Sequence, residues 1–283
     1  MSISFCKFHG FGNDYIVIER SSIKGSLTLP ELAKAICHRH TGVGSDGIAV
    51  LEKLDGSVAD YSCEIVNPDG SFAGFSGNGT RCAVAYLYYK KIWTDESLRL
   101  KTRSGIKRYK LIERKGDGEF WFEAEIGQPR FASDQIPVAT DSPREHVLNE
   151  PISIAGRDLT FSAVNVGNPV ACVFTDGPEP DWREIGKEME SHAKFPQRAN
   201  IVFVRPIGSG SIEIRIWERG AGETSASGTC ATGAAILSAF LLKTDRHVKV
   251  ISVGGETDVV WRDDDEMILT GRADLAFCGE WPG

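Results

Sequence analysis

The chain of 283 residues has no apolar run near the ~20 residues that a membrane-spanning helix requires. Its first residues, MSISFCKFHG, lack the basic and apolar segments of a secretory signal, so none is expected. Basic residues are not in excess: 32 Lys and Arg stand against 39 Asp and Glu, a net charge of -7. Phosphate binding needs a clustered basic surface, so neither nucleic acid nor a membrane is an expected partner. There is no Cys-x-x-Cys pair, and the seven cysteines are odd in number and scattered. That argues against a disulfide framework or zinc site and for reduced thiols in a cytoplasm. His38 and His40 are the one close histidine pair, with no framework of Cys or carboxylates around them, so no metal is expected.

What is present is the balance of a soluble globular protein, with 41% hydrophobic and 25% charged residues. The length suits one large domain or two ordinary ones. Thirty glycines are the informative excess, gathered in short polar clusters. Tyr15–Ile18, Ile201–Val204 and Ile212–Ile216 read as strands. Pro30–His38 reads as a helix with Thr28 as its cap and Pro30 in its first turn. Asp181–His192 reads as a surface helix, polar on most of its circumference.

Two further helices begin in a Ser-Gly-polar turn. Ser76-Gly77-Asn78-Gly79-Thr80 leads into Arg81–Leu87, and Ser227-Gly228-Thr229 leads into Cys230–Leu237. Both are rich in small and apolar residues, as suits a helix buried on all sides. The two serines lie 151 residues apart, and Gly12-Asn13 and Gly167-Asn168 lie 155 apart. Two matched pairs at nearly one offset indicate an internal duplication. The expected architecture is α/β (α+β): two pseudo-symmetric domains, each a barrel-like sheet wrapped around a central helix, with a cleft between them. The expected halves are 1–128 with 271–283, and 129–270, joined around Gln128-Pro129 and the Pro137–Pro143 stretch.

A helix N-terminus presents unpaired backbone N–H groups and the positive end of the dipole, a ready site for a carboxylate. Glycine there permits close backbone approach. Glu218-Arg219-Gly220-Ala221-Gly222-Glu223-Thr224 follows a strand directly. An Arg at that place can clamp a carboxylate and a Glu can accept an ammonium group; a plain surface ion pair is the structural alternative. Asn13, Asn67, Asn78, Asn168 and Asn200 fall at strand or helix ends beside these clusters, where asparagine also serves as a common turn residue.

Gly10–Tyr15, Thr41–Gly47, Asn67–Ser71, Ser76–Cys82, Gly167–Pro169 and Glu218–Thr224 together resemble the diaminopimelate epimerase family, in order and spacing, from Phe5 to Ala276. The resemblance implies a cofactor-free amino-acid isomerase of lysine biosynthesis, cytoplasmic and dimeric. Two cysteines on opposite faces of the substrate would transfer the α-proton by general acid–base catalysis. In this chain those positions are Ser76 and Ser227, and the histidine usual after Gly-Asn-Pro is Val170. Glu218 is kept as the partner of the second station. The resemblance assigns Asn13, Asn67, Asn200 and Arg219 to the substrate, and Asn168, at a strand end beside these clusters, is a further substrate-binding candidate. The resemblance assigns the turns Gly77-Asn78 and Gly228-Thr229 to the substrate's α-carboxylate.

A hydroxyl is a far weaker acid than a thiol, so serine needs a neighbouring base before it can take a proton. Three readings therefore stand: an epimerase working with serines, a changed reaction such as a dehydratase or other isomerase, and an amino-acid-binding protein. Cys82 and Cys230 read as buried packing residues rather than displaced catalytic thiols. Gly74–Asn78 is a near miss to the serine-hydrolase elbow, and neither His9 nor His38 and His40 is tied to Ser76 by the sequence.

Overall fold

The computed structural model describes residues 2–177 and 180–282. The chain forms two compact units: one runs through Glu125 and takes up the chain again from Thr270, the other is Ile126–Leu269.

In the first unit the order is β1 (Ile3–Gly10), β2 (Asn13–Glu19), α1 (Leu29–Ile36), β3 (Ile48–Lys53), β4 (Tyr61–Val66), β5 (Phe72–Ala73), α2 (Gly77–Tyr89), β6 (Ser97–Thr102), β7 (Gly105–Lys115) and β8 (Glu119–Glu125). In the second it is β9 (Val147–Ile154), β10 (Arg157–Asn165), β11 (Pro169–Phe174), α3 (Trp182–Glu190), β12 (Asn200–Gly208), β13 (Ser211–Glu218), β14 (Gly222–Thr224), α4 (Gly228–Phe240), β15 (His247–Ser252) and β16 (Gly255–Trp261), before β17 (Met267–Trp281).

The first unit closes on itself. Pairing runs β1–β2–β3–β4–β6–β7–β8, and β17 joins β8 back to β1. Closure leaves this eight-stranded ring with no free edge. Two of its contacts are parallel, β2 with β3 and β4 with β6, and they are bridged by α1 and α2. The second unit repeats the scheme: β11 lies parallel to β12 across α3, and β13 parallel to β15 across α4.

Burial explains why the strands read as unbroken apolar runs. In β2, Ile16 and Ile18 join the core beneath Leu32 and Ile36 of α1. Tyr15 and Val17 point the other way, by the two-residue alternation of a strand, toward α2. Both faces are covered, so all four residues are buried. In the second unit β11 and the first half of β12 are buried likewise. There Trp182, Ile185 and Met189 of α3 cover Ala171, Val173, Ile201 and Phe203.

Helices α2 and α4 are the central ones. Every residue from Gly77 to Tyr88 is buried, and so is every residue from Thr229 to Ala239. α2 packs against β1 to β4, and α4 against β10 to β13, β15 and β16. α1 carries the full capping box: Glu31 N–H donates to Thr28 Oγ1, and Thr28 N–H donates back to Glu31.

One expectation is overturned. Cys6 of β1 and Cys278 of β17 stand directly opposite in register and form a disulfide. Their sequence separation of 272 places no recognisable spacing motif in the chain. The other five cysteines are free and buried. No helix among the described residues is long and apolar enough to cross a membrane.

Candidate active site

Each central helix begins at one of the two serines. Ser76 sits just before α2 in an extended conformation and caps it, its Oγ accepting the Gly79 N–H at 3.0 Å. The Ser76 hydroxyl in turn donates to the phenol oxygen of Tyr15 at 3.1 Å. One turn on, Thr80 Oγ1 donates to the Ser76 carbonyl at 2.6 Å and meets the Tyr109 hydroxyl at 2.5 Å. The backbone of this helix start is thereby fixed on both sides.

Ser227 stands at the equivalent place before α4 and behaves differently. It does not cap the helix. Its hydroxyl donates to Glu218 Oε2 at 3.0 Å, while Thr224 Oγ1 donates to Glu218 Oε1 at 2.7 Å. Glu218 is the last residue of β13, and Thr224 ends β14, the short strand paired back upon it through Glu218↔Gly222. The hairpin thus places a carboxylate and a hydroxyl around one serine. Both serines are half-buried, reachable yet partly screened from water.

The neighbouring sites differ in how much freedom they keep. Asn78 Nδ2 donates to Asn13 O at 2.7 Å and to Asn13 Oδ1 at 2.9 Å. Asn13 Nδ2 donates to Asp46 at 2.7 Å, and Arg81 donates to Asn78 Oδ1 at 2.9 Å. The side chains of Asn13 and Asn78 therefore tie α2 to the start of β2. Asn67 follows β4 and closes its own turn, with Nδ2 donating to Ser71 Oγ at 2.9 Å. Asn168 immediately precedes β11, its carbonyl accepting Val166 N–H. Asn200 opens β12, in parallel register with Val170.

Asn200 Oδ1 accepts the Arg219 N–H at 2.9 Å. The Arg219 guanidinium is exposed and donates to Gln197 O at 3.1 Å. Beneath this loop lies Glu190 of α3, buried, accepting from Gly220 N–H and from Trp217 Nε1, each at 2.9 Å. Gly77 is buried in the first turn of α2, and Gly228 and Thr229 begin α4. Their backbone N–H groups belong to the set that no helical carbonyl can satisfy.

The two thiols closest in sequence to these stations are inert. Burial pushes the Cys82 thiol up to about 12, against partial relief from the Arg81 charge. Burial pushes Cys230 well above the ordinary thiol value, and the Glu218 charge adds to it. Neither supplies thiolate near neutral pH. Val170 is fully buried against Gly233 of α4, so the residue after Gly-Asn-Pro brings packing and no titratable group. His38 Nδ1 accepts the backbone N–H groups of His40 and Thr41 just after α1, a turn role.

Sequence reasoning missed Tyr15, Thr224 and Glu190. Tyr15 and Thr224 both lie inside the quoted motifs, but only the folded distances reveal what their hydroxyls touch. Glu190 sits in a helix read as a polar surface element, and its burial under Trp217 left no signal.

The chain matches the family profile described as diaminopimelate epimerase over residues 5–131 and 162–276. It is 35% identical over 277 residues to the diaminopimelate epimerase of Caldanaerobacter subterraneus subsp. tengcongensis, covering 98% of each chain. It is 36% identical over 282 residues to that of Moorella thermoacetica, covering 98% of this chain and 99% of the relative. Among solved structures, a hydroxyproline epimerase from Agrobacterium vitis superposes with a TM-score of 0.71 at 14% identity, over 99% of this chain and 92% of that one. A predicted epimerase from Pseudomonas aeruginosa superposes with a TM-score of 0.68 at 14% identity, over 99% of both. At these identities the two structures attest the fold.

Proposed function

Because the chain belongs to the diaminopimelate epimerase family and is an isomerase of the amino-acid epimerase type, we propose that it interconverts L,L- and meso-diaminopimelate with Ser76 and Ser227 as its proton-transfer stations. The observation that carries the reading is the Ser227–Glu218 contact at the head of a buried helix. A serine hydroxyl is useful there only if a base can take its proton.

In this reading Ser76 and Ser227 act on opposite faces of the substrate's α-carbon, as the family resemblance implies. Ser227 Oγ takes the α-proton as its own proton passes to Glu218. The bonding pair left on carbon delocalises into the α-carboxylate, and Ser76 delivers a proton to the opposite face, inverting the centre. The backbone N–H groups at Gly77-Asn78 and Gly228-Thr229, at the positive ends of α2 and α4, would bind that carboxylate and stabilise charge gathering on it. Arg219 would hold the distal carboxylate, with Asn13, Asn67, Asn168 and Asn200 shaping its surroundings. A cofactor-free, cytoplasmic homodimer in lysine biosynthesis belongs to the same reading and rests on the family alone.

A second reading is a changed reaction on the same amino-acid head, such as dehydration. The replacement of both thiols by hydroxyls favours it. Chromatographic separation of the isomers after incubation with L,L-diaminopimelate decides. Formation of the meso isomer supports epimerisation. No conversion by either the protein or its S76C/S227C variant overturns the substrate assignment.

A further inference from the structure

Ser76 has a partner of its own that is not a carboxylate. Its hydroxyl lies 3.1 Å from the Tyr15 phenol oxygen while its Oγ accepts the Gly79 N–H. Tyr15 is 6% exposed, and its ring is closely confined. A Cβ added at either Gly47 or Gly79 would come within 2.8 Å of ring atom Cε1. The phenol is thus brought to the head of α2 by a central strand and two glycines, not by a loop. Two residues after the matching Gly-Asn of the second unit stands Val170, apolar and buried. That unit draws its polar partner from Glu218 instead.

We propose that Tyr15 is the proton-relay partner of Ser76, a positioning residue that makes an aliphatic hydroxyl usable at that station. The inference rests on the epimerase reading. A phenol titrates near ~10 and is far more acidic than a serine hydroxyl. When Ser76 gives its proton to the substrate carbon, its O–H bond breaks and an alkoxide remains, held by the Gly79 N–H. The Tyr15 O–H bond then breaks, its proton passes to Ser76 Oγ, and the charge rests on the phenolate. In the reverse direction the phenolate accepts the Ser76 proton as Ser76 takes the α-proton. The two stations therefore carry unlike partners, a phenol and a carboxylate.

Tyr15→Phe removes the hydroxyl and keeps the ring between Gly47 and Gly79. Deuterium incorporation at the α-carbon of diaminopimelate, followed against pH in heavy water, compares the unmodified protein, Y15F, S76C and Y15F/S76C. The expected result is a loss of at least about tenfold for Y15F, with an altered alkaline limb. In the S76C background the same change costs less than about twofold, since a thiol titrating near ~8.5 needs no phenol beside it. Equal losses in both backgrounds, or none in either, overturn the relay. An inert unmodified protein alongside an active S76C/S227C variant also overturns it, while leaving the substrate reading intact. If no variant exchanges diaminopimelate, the substrate reading fails, and NMR titration of Cζ-labelled Tyr15 decides the relay: S76A shifts the phenol midpoint if the two hydroxyls share a proton, and an unmoved midpoint overturns it.

Discussion

Ser227 donates its hydroxyl to Glu218 at 3.0 Å and leaves the first turn of α4 without a side-chain cap. Its counterpart Ser76 does cap its helix. A helix cap is worth ~1 kcal/mol, so the orientation of Ser227 toward a carboxylate forgoes that stabilisation at a site where a base is needed.

Glu218→Gln keeps a polar group beside Ser227 and Thr224 but removes the base. The expected effect is a fall in kcat of about 10²–10⁴-fold, with KM changed less than about threefold. Steady-state kinetics on L,L-diaminopimelate measures both. A raised KM with unchanged kcat would instead give Glu218 a binding role.

Asp14 couples the first unit to pH. Burial pushes its carboxyl up, but the Lys7 hydrogen bond at 2.7 Å, the Asp46 N–H and the Lys7 and Arg39 charges outweigh burial and hold it below the usual range. A carboxyl depressed in the folded state stabilises above its unfolded value of ~3.9, and that contribution is lost as pH falls through the folded value. Asp14→Asn should therefore lower stability at pH 7 by about 1–3 kcal/mol and flatten the acid limb below about pH 4. Urea melts at several pH values test this, and parallel curves for the two proteins would refute it.

The Cys6–Cys278 bond ties β1 to β17, the pair that closes the first ring. Alkylation in denaturant without reductant is expected to label the five free cysteines, and seven after reduction. Cys278→Ser should lower unfolding stability by about 2–4 kcal/mol. Seven labels without reductant would show the pair to be open in the isolated protein.

Local signals carried most of the elements into the sequence. Thr28, Glu31 and Pro30 announced α1 because capping is a three-residue matter. Ser76 and Ser227 announced the buried helices because each leads into a stretch of small and apolar residues, Cys82–Leu87 in α2 and Gly233–Leu237 in α4. The strands around Tyr15, Ile201 and Ile214 lie where their apolar runs fall. What depends on long-range contact was not legible. The residue-by-residue register of β17 on β1, and with it the Cys6–Cys278 bond, joins residues at opposite ends of the chain. α3 looked polar on most of its circumference, and the narrow remaining stripe, with Trp182, Ile185, Met189 and Glu190 buried, suffices to cover two strands. The candidate residues, with Glu218 as the partner of the second station, came from the family resemblance, but the Tyr15 partner of Ser76 did not. A Ser–Tyr contact across 61 residues leaves no spacing to read.

The most direct test of proton transfer by two serine stations is the isotopic content of both isomers at early conversion in heavy water. Proton NMR and mass spectrometry follow L,L-diaminopimelate and the meso product together. The expected result is one deuterium at the inverted centre of the product while the remaining L,L isomer stays protiated. A meso product that retains its proton would contradict it, since one group would then be serving both faces.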